Sequence, residues 1–292
     1  MRPGRLLLID KPVGPTSHDA VSAVRRALGL RRAGHCGTLD PAASGLLLVL
    51  VGEATRLAEV FAGHEKVYRG RVRFGLATDT DDAQGREIAR LADADFQVAP
   101  AALDAALAAL AARRSQRPPG FSAIKREGVP LYKLARAGRL DAASLPERPV
   151  RVGPILPLAF DGRELELEIT CSAGTYVRAL ARDLGELVGV PAHLAALRRL
   201  ASGPFRVEQA LPLDALRPGA VGEAPGLSPA EALASLPAVV AAAGYAERLR
   251  FGAQPGAGDL AWQEPLPPPG AWLRVLSPTA ELLALAQVEA GG

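Results

Sequence analysis

The stretch GHCGTLDPAASGLLLVL, residues 34–50, sets one acidic side chain, Asp40, in a loop punctuated by glycine and proline. Directly behind the loop comes the apolar run 46–51, bounded by Gly45 and Gly52, which reads as a buried strand. An Asp-Pro pair by itself is explained by a turn, with Asp40 capping it and Pro41 fixing the next φ. An acid held at the mouth of a rigid strand is also a candidate for chemistry, and the residues around it decide between the two.

Outward from this loop the pattern is mixed α and β. Residues 6–9 read as a strand, and Ser17 as the N-cap of a helix carrying Val21, Val24 and Leu28 on its apolar stripe. A short helix is expected over 53–61. Residues 66–74 alternate, with Val67, Arg69, Arg71 and Arg73 on one face and Tyr68, Val72 and Phe74 on the other, which turns Tyr68 inward. Helices follow over 100–112 and 130–137, the second ended by Gly138. Between them, 116–128 is basic, aperiodic and rich in Pro and Gly, and reads as an exposed arm.

Leu165, Leu167, Ile169 and Cys171 alternate with Glu164, Glu166, Glu168 and Thr170, a strand with one wet face. It leads into a helix with Thr175 as expected N-cap and Val177, Leu180, Ala181, Leu184 and Val188 as its stripe. Arg178 falls in the first turn, where the helix dipole offers a cation nothing and no carboxylate lies three or four residues away. Its partner must come from elsewhere in the fold. Past Phe205, residues 211–236 read as connecting structure with one short helix near 228–235. The domain boundary is expected near Gly244, giving domains 1–243 and 244–292, the second with short β-like runs and no basic excess.

Composition narrows the function. The 292 residues suggest about two domains with a real core. No apolar stretch approaches the roughly 20 residues of a membrane span, and nothing resembles a signal peptide, so a cytoplasmic protein is expected. Cys36 and Cys171 lie far apart, and His18, His35, His64 and His193 lack metal-ligand spacing, which predicts neither a metal nor a redox role. Cys36 reads as a small buried thiol. The net charge is only +3, but it is unevenly spread. Arg25, Arg26, Arg31 and Arg32 cluster before the acidic loop, and Arg113, Arg114, Arg117, Lys125, Arg126, Lys133, Arg136 and Arg139 face only Glu127. Two basic clusters flanking one acidic loop point toward a phosphate backbone.

With these pieces placed, the chain resembles the bacterial tRNA pseudouridine-55 synthases over nearly its whole length. GHCGTLDPAASG is the strongest signature. LLIDKPVGPTS, KVYRGRVRFGLATDTDDAQG, RPPGFSAIKREGVPLYKLARAG, CSAGTYVRALARDLG and LRRLASGPF keep the family's order. The resemblance implies an α+β pseudouridine synthase fold, with a central mixed, largely antiparallel sheet flanked by helices and a small C-terminal β-rich PUA-type domain. It assigns Asp40, Tyr68 and Arg178 to catalysis. His35 would enter the T-loop and take the space of the extruded uridine, Leu197 would line the uracil pocket, and Lys11 would lie near the site. Gly37, Thr38 and Tyr176, beside these motifs, join the substrate-binding set. Cys36 stands where a small non-thiol residue is expected, and the last segment is short and acidic for an RNA-contacting module.

The implied reaction breaks the N1–C1′ bond of uridine, turns the base and joins C5 to C1′. There is no redox change, and no cofactor is expected. Asp40 has three routes open: attack on the sugar, attack on the base, or removal of a sugar proton. An arginine such as Arg178 placed against it would keep it ionised and fix its rotamer. The uridine must first be flipped out at a cost of a few kcal/mol, offset by backbone contacts from Arg25, Arg26, Arg31 and Arg32 and from the 116–139 arm with Lys125, Arg126, Lys133 and Arg136. Folded RNA shape would set specificity. A monomer without an obligatory protein partner, acting on the T-arm of tRNA, is the expected form. Two rivals stay open: a synthase acting on ribosomal RNA or under a guide RNA, and an RNA-folding factor whose role survives loss of Asp40.

Overall fold

Residues 46–51 are apolar without alternation because the strand they form is covered on both faces. The computed structural model describes residues 4–92, 96–217, 226–249, 251–256, 258–262 and 267–289. Its central sheet contains β1 (Arg5–Lys11), β2 (Ala33–His35), β3 (Ala43–Val51), β4 (Lys66–Phe74), β5 (Val152–Phe160), β6 (Glu164–Cys171) and β7 (Ala192–Ser202). The short pieces Phe205–Arg206 and Leu211–Pro212 bring it to nine strands among the described residues. The order in space is β5-β6-β4-β7-β3-β1, ending on Leu211–Pro212, with β2 paired to β3. Only β7 with β3 and β1 with Leu211–Pro212 run parallel, so the sheet is mixed and largely antiparallel, as expected.

The two faces of β3 belong to different cores. Leu47, Val49 and Val51 pack with Leu7, Ile9 and Tyr68 under α1 (Ser17–Leu28), α2 (Pro100–Ala111) and α3 (Val177–Val188). Leu46, Leu48 and Leu50 pack with Leu6, Phe61, Phe205 and Leu233 on the opposite side. Each fully buried leucine contributes about 1.5–3 kcal/mol of apolar transfer. β4 and β6 keep the alternation read from the sequence: Tyr68, Val72 and Phe74 face the core with Leu165, Leu167 and Ile169. On the wet face Arg69, Arg71 and Arg73 stand opposite Glu168, Glu166 and Glu164. Such exposed pairs add little each.

β7 lies flat against β3 only because residue 45 is glycine. Gly45 has φ 103°, and a Cβ there would run into the backbone of Arg199. This close approach seats Arg199 opposite Gly45 on one side and Tyr68 on the other.

Three local expectations are corrected. The cap of α1 is Thr16, one residue ahead of Ser17, in a capping box closed by Asp19; the Ser17 hydroxyl is engaged elsewhere. The cap of α3 is Tyr176, because the Thr175 hydroxyl is bonded to Ser172 and the Tyr176 backbone is held by Gln116. The 116–128 stretch is not exposed throughout. Gln116, Pro118, Pro119, Gly120 and Ser122 are buried, while Ala123 and the hairpin from Lys125 onward stand in solvent.

At the C-terminal end, β8 (Ala238–Ala241), β9 (Leu260–Trp262), β10 (Trp272–Leu276) and β11 (Leu282–Gln287) form a separate sheet in the order β9-β8-β10-β11. Val239 and Ala241 are fully buried in its core with Tyr245, Leu273 and Val275, so a boundary near Gly244 would cut this unit; it begins at β8. Leu282 and Leu285 of β11 also pack against the second core, fastening the small sheet to the large one. Ser228 caps the short helix Pro229–Ala232, matching the helix read there, while residues 218–225 of the connecting stretch lie outside the described residues. No helix among the described residues is long and apolar enough to cross a membrane.

Gly45→Ala is expected to destabilise the protein by roughly 1–3 kcal/mol from its backbone conformation alone, more with the Arg199 collision added. Denaturant unfolding followed by circular dichroism measures this, and an unchanged midpoint would mean that β7 does not depend on Gly45.

Candidate active site

The loop between β2 and β3 opens onto a cavity of about 430 Å³. Its walls come from Gly37, Thr38, Leu39 and Asp40 of the loop, Tyr68 of β4, the 172–178 segment leading into α3, and Leu197 of β7. Asp40 stands at the mouth, with its side chain 39% exposed. The backbone around it is pinned from three directions. Ser17 Oγ donates to the Leu39 carbonyl at 2.9 Å and accepts from the Leu39 amide at 2.8 Å. Gly14 N–H donates to Pro41 O, and Ala43 N–H closes the turn on Asp40 O.

The partner that Arg178 lacks within its own helix is Asp40. Arg178 Nε donates to Asp40 Oδ2 at 2.9 Å and lies 3.5 Å from Asp82 Oδ2. Nη1 and Nη2 donate to the carbonyls of Thr80, at 2.8 Å, and Phe121, at 3.1 Å. The arginine side chain is 6% exposed, and its guanidinium is committed to protein atoms on every nitrogen. A buried cation so held orients a carboxylate and has no spare fork for a phosphate. Asp82 is itself set by Thr80 Oγ1 at 2.7 Å and the Gln84 amide at 3.0 Å.

Tyr68 is buried on the cavity wall, and burial raises its phenol above the ordinary value, against the opposing pull of Arg199, so it stays protonated at neutral pH. Tyr176 lines the cavity from the entry to α3, where the Gln116 side chain clamps it twice: Tyr176 N–H donates to Oε1 at 2.9 Å and Nε2 donates to Tyr176 O at 3.1 Å. Beneath Tyr68 lie two cations that sequence reasoning did not single out. Arg199 donates from Nε to Leu46 O at 2.6 Å and from Nη2 to Gly37 O at 3.2 Å. Lys66 donates to Ala62 O at 2.5 Å and His64 O at 2.6 Å. Burial first, and then Arg199, bring the Lys66 ammonium down to about 8. The signal was available: Lys66 has the same parity as Tyr68 in β4, and Arg199 the same parity as Leu197 in β7.

The structure thus brings Asp40, Tyr68, Arg178, Gly37, Thr38, Tyr176 and Leu197 to one cavity. Two substrate-binding expectations fall outside it. Lys11 is fully buried and donates to Pro12 O and Pro15 O, both at 2.8 Å, so it braces the loop before α1, within electrostatic reach of Asp40 and Arg199 but off the cavity lining. His35 lies on β2, opposite Val49, half-buried, and burial lowers its imidazole below the ordinary value. The basic cluster also divides. Arg25 donates to Ala33 O at 2.6 Å and Arg32 pairs with Glu53 at 3.1 Å, while Arg26 and Arg31 are exposed, with no carboxylate in ion-pair contact among the described residues. Lys125, Arg126, Lys133 and Arg136 are exposed, with Arg136 over the Tyr132 ring at 5.8 Å.

One solvent-reachable carboxylate, oriented by a buried arginine at the mouth of a slot walled by a tyrosine and a leucine, is the arrangement of an enzyme active site. Comparison with known proteins makes this specific. Residues 25–177 match the model of the TruB family pseudouridylate synthase N-terminal domain, and residues 178–223 that of the tRNA pseudouridylate synthase B C-terminal domain. The chain is 48% identical over 237 residues to the tRNA pseudouridine synthase B of Gloeobacter violaceus, covering 80% of each chain. It is 43% identical over 263 residues to that of Geobacter sulfurreducens, covering 87% of this chain and 83% of the relative. Among solved structures, a Cbf5-Nop10-Gar1 complex matches with TM-score 0.74 and 26% identity over 98% of this chain and 78% of that one. An H/ACA RNP bound to a substrate RNA containing 2′-deoxyuridine shares the fold, with TM-score 0.74 and 24% identity over 98% of this chain and 79% of that one. The chain belongs to the TruB family of pseudouridylate synthases.

Cys36 and Cys171 are buried, and burial pushes both thiols up to about 11. At pH 8 the thiolate is therefore scarce, and neither sulfur is expected to react with a disulfide reagent in the native protein, while both react after unfolding. Colour release from such a reagent with and without denaturant tests this; rapid native labelling of Cys36 would make it a candidate nucleophile.

Proposed function

We propose that this chain isomerises the T-loop uridine of transfer RNA, position 55, to pseudouridine, with Asp40 as the group that acts on the nucleoside. The observation that carries the assignment is the 2.9 Å bond from Arg178 to Asp40 at the mouth of a cavity walled by Tyr68 and Leu197. The base leaves its stack and enters the slot, Tyr68 stacks on it, and Asp40 meets C1′ or the ring from the rim. Breaking N1–C1′, turning the base and joining C5 to C1′ changes no oxidation state, and the C5 proton is lost to solvent as N1 gains one. Tyr68, with its phenol protonated, is placed to serve that exchange.

Unstacking costs a few kcal/mol, offset by phosphate contacts at the exposed cations Arg26, Arg31, Lys125, Arg126, Lys133 and Arg136. His35, on the strand that enters the acidic loop, is the side chain assigned to the gap in the T-loop. The small C-terminal sheet is read as a PUA-type module that adds a modest RNA contact. On this reading the protein works in the cytoplasm as a monomer and needs no protein partner.

Tritium release from unmodified tRNA labelled with 5-³H-uridine, compared for wild type and Asp40→Asn, tests the reaction, with the product position mapped afterwards. Release by wild type alone, at the T-loop, is expected; no release on competent tRNA would remove the assignment. Arg178→Ala is expected to lower turnover by roughly 100-fold or more while leaving tRNA affinity nearly intact, since its donors are spent inside the protein. Equal losses in both would place Arg178 at the RNA interface instead. Replacing Arg26 and Arg31 together by Gln should reduce the salt slope of tRNA binding by up to about 2, and an unaltered slope would remove them from the interface.

A further inference from the structure

The floor of the cavity holds two cations with no counter-ion. Lys66 is 5% exposed and Arg199 2% exposed, and neither has a carboxylate within ion-pair distance among the described residues. The carboxylates of the site, Asp40 and Asp82, are gathered around Arg178. What Lys66 and Arg199 touch are neutral carbonyls, those of Ala62, His64, Leu46 and Gly37. Buried charges are ordinarily paired, because an uncompensated one is costly to desolvate. Two like charges beside a cavity, both without a partner, describe a seat for negative charge that arrives with the ligand or develops during reaction.

Depth identifies the charge. Asp40 is 39% exposed at the rim, whereas Lys66 and Arg199, on the same lining, are buried, with the Arg199 guanidinium carbon 6.0 Å from the centre of the Tyr68 ring. A nucleotide entering base first leaves its phosphates at the rim and carries the ring edge to the floor. We infer that Lys66 is a further catalytic residue, donating its remaining N–H to the detached uracil and, with Arg199, holding the negative charge of that ring while it turns.

The inference rests on the isomerase reading above. When N1–C1′ breaks, its electron pair stays on the base, which becomes an anion with charge shared by N1, O2 and O4. C1′ is left electron-poor and is answered by Asp40. Lys66 gives a hydrogen bond and no proton, so the ring returns to neutrality when C5 bonds to C1′; C5 then loses its proton to solvent and N1 takes one up. Fixed cations aimed at charge that exists only after bond cleavage favour the transition state over the bound substrate. The groups facing Lys66 are Arg199 on β7, Cys171 on β6, Cys36 in the acidic loop and His64, whose imidazole burial holds below its ordinary value and so neutral at pH 8. Both thiols are pushed up to about 11 and are neutral at pH 8, so the titration of Lys66 at about 8 is its own. The ammonium is present below that pH and lost above it.

The test is single-turnover tritium release from 5-³H-uridine tRNA by wild type, Lys66→Met and Lys66→Arg, with tRNA affinity measured alongside. For Lys66→Met the rate at saturating enzyme is expected to fall roughly 100-fold with affinity within about threefold of wild type. Lys66→Arg keeps the charge, so its rate should persist above pH 8, where the wild-type rate declines. A Lys66→Met rate near that of wild type overturns the inference and leaves the isomerase reading standing. Lost affinity with an intact saturated rate overturns it in favour of a phosphate seat. Should Lys66→Met fail to fold, coincident pH profiles for wild type and Lys66→Arg overturn it. A wild type that releases no tritium removes the isomerase reading and this inference together.

Discussion

The bond between Arg178 and Asp40 is the contact on which the rest of the structure converges. It joins residues 138 positions apart, and everything the fold does near the cavity serves to bring their elements within 2.9 Å. β3 holds Asp40 at its N-terminal end, and α3 carries Arg178 in its first turn. The remaining donors of the guanidinium reach back to Thr80 and Phe121, so one buried side chain ties together the acidic loop, the turn after β4 and the buried part of the 116–122 stretch. An arginine used this way has every guanidinium nitrogen committed to a protein acceptor, and the exposed cations lie elsewhere on the surface.

The charges of the site are sorted by depth. At the rim one carboxylate is shared with a buried arginine, with a second carboxylate, Asp82, behind it. At the floor sit Lys66 and Arg199, uncompensated. Between them the walls are tyrosine and leucine. On the base-first entry proposed above, a nucleoside meets a field along its length, negative at the sugar and positive at the far edge of the base. This is the polarity that heterolysis of a bond between the two requires.

Much of this was legible in the sequence, and the misses share a cause. Alternation in 66–74 and 164–171 placed Tyr68 inside and the Arg/Glu pairs outside, because period-two patterning survives tertiary packing. The missing partner of Arg178 was visible as an absence along its own helix. Cap positions slipped by one residue at Thr16 and Tyr176, since Ser17 and Thr175 are equally good caps until the loop and strand that claim their hydroxyls are in place. The sequence leads to Lys11 near the substrate and to Arg25 on the RNA backbone, and it does not single out Lys66 or Arg199. All four bond to backbone carbonyls; strand parity turns Lys66 and Arg199 inward, but no local pattern announces which carbonyls will receive the four side chains. The C-terminal boundary was set too late because β8 is four apolar residues that pair only with strands far along the chain.

Thr16 and Ser17 divide two tasks between neighbouring hydroxyls, one closing the end of α1 and the other gripping both backbone groups of Leu39. The residue before Asp40 thereby moves as part of a helix. Freezing one residue's backbone costs about 1–2 kcal/mol of conformational entropy, and here that expense falls on folding, before any RNA arrives. The acid is preorganised: binding need not order it, and the energy of association stays available for deforming the nucleic acid.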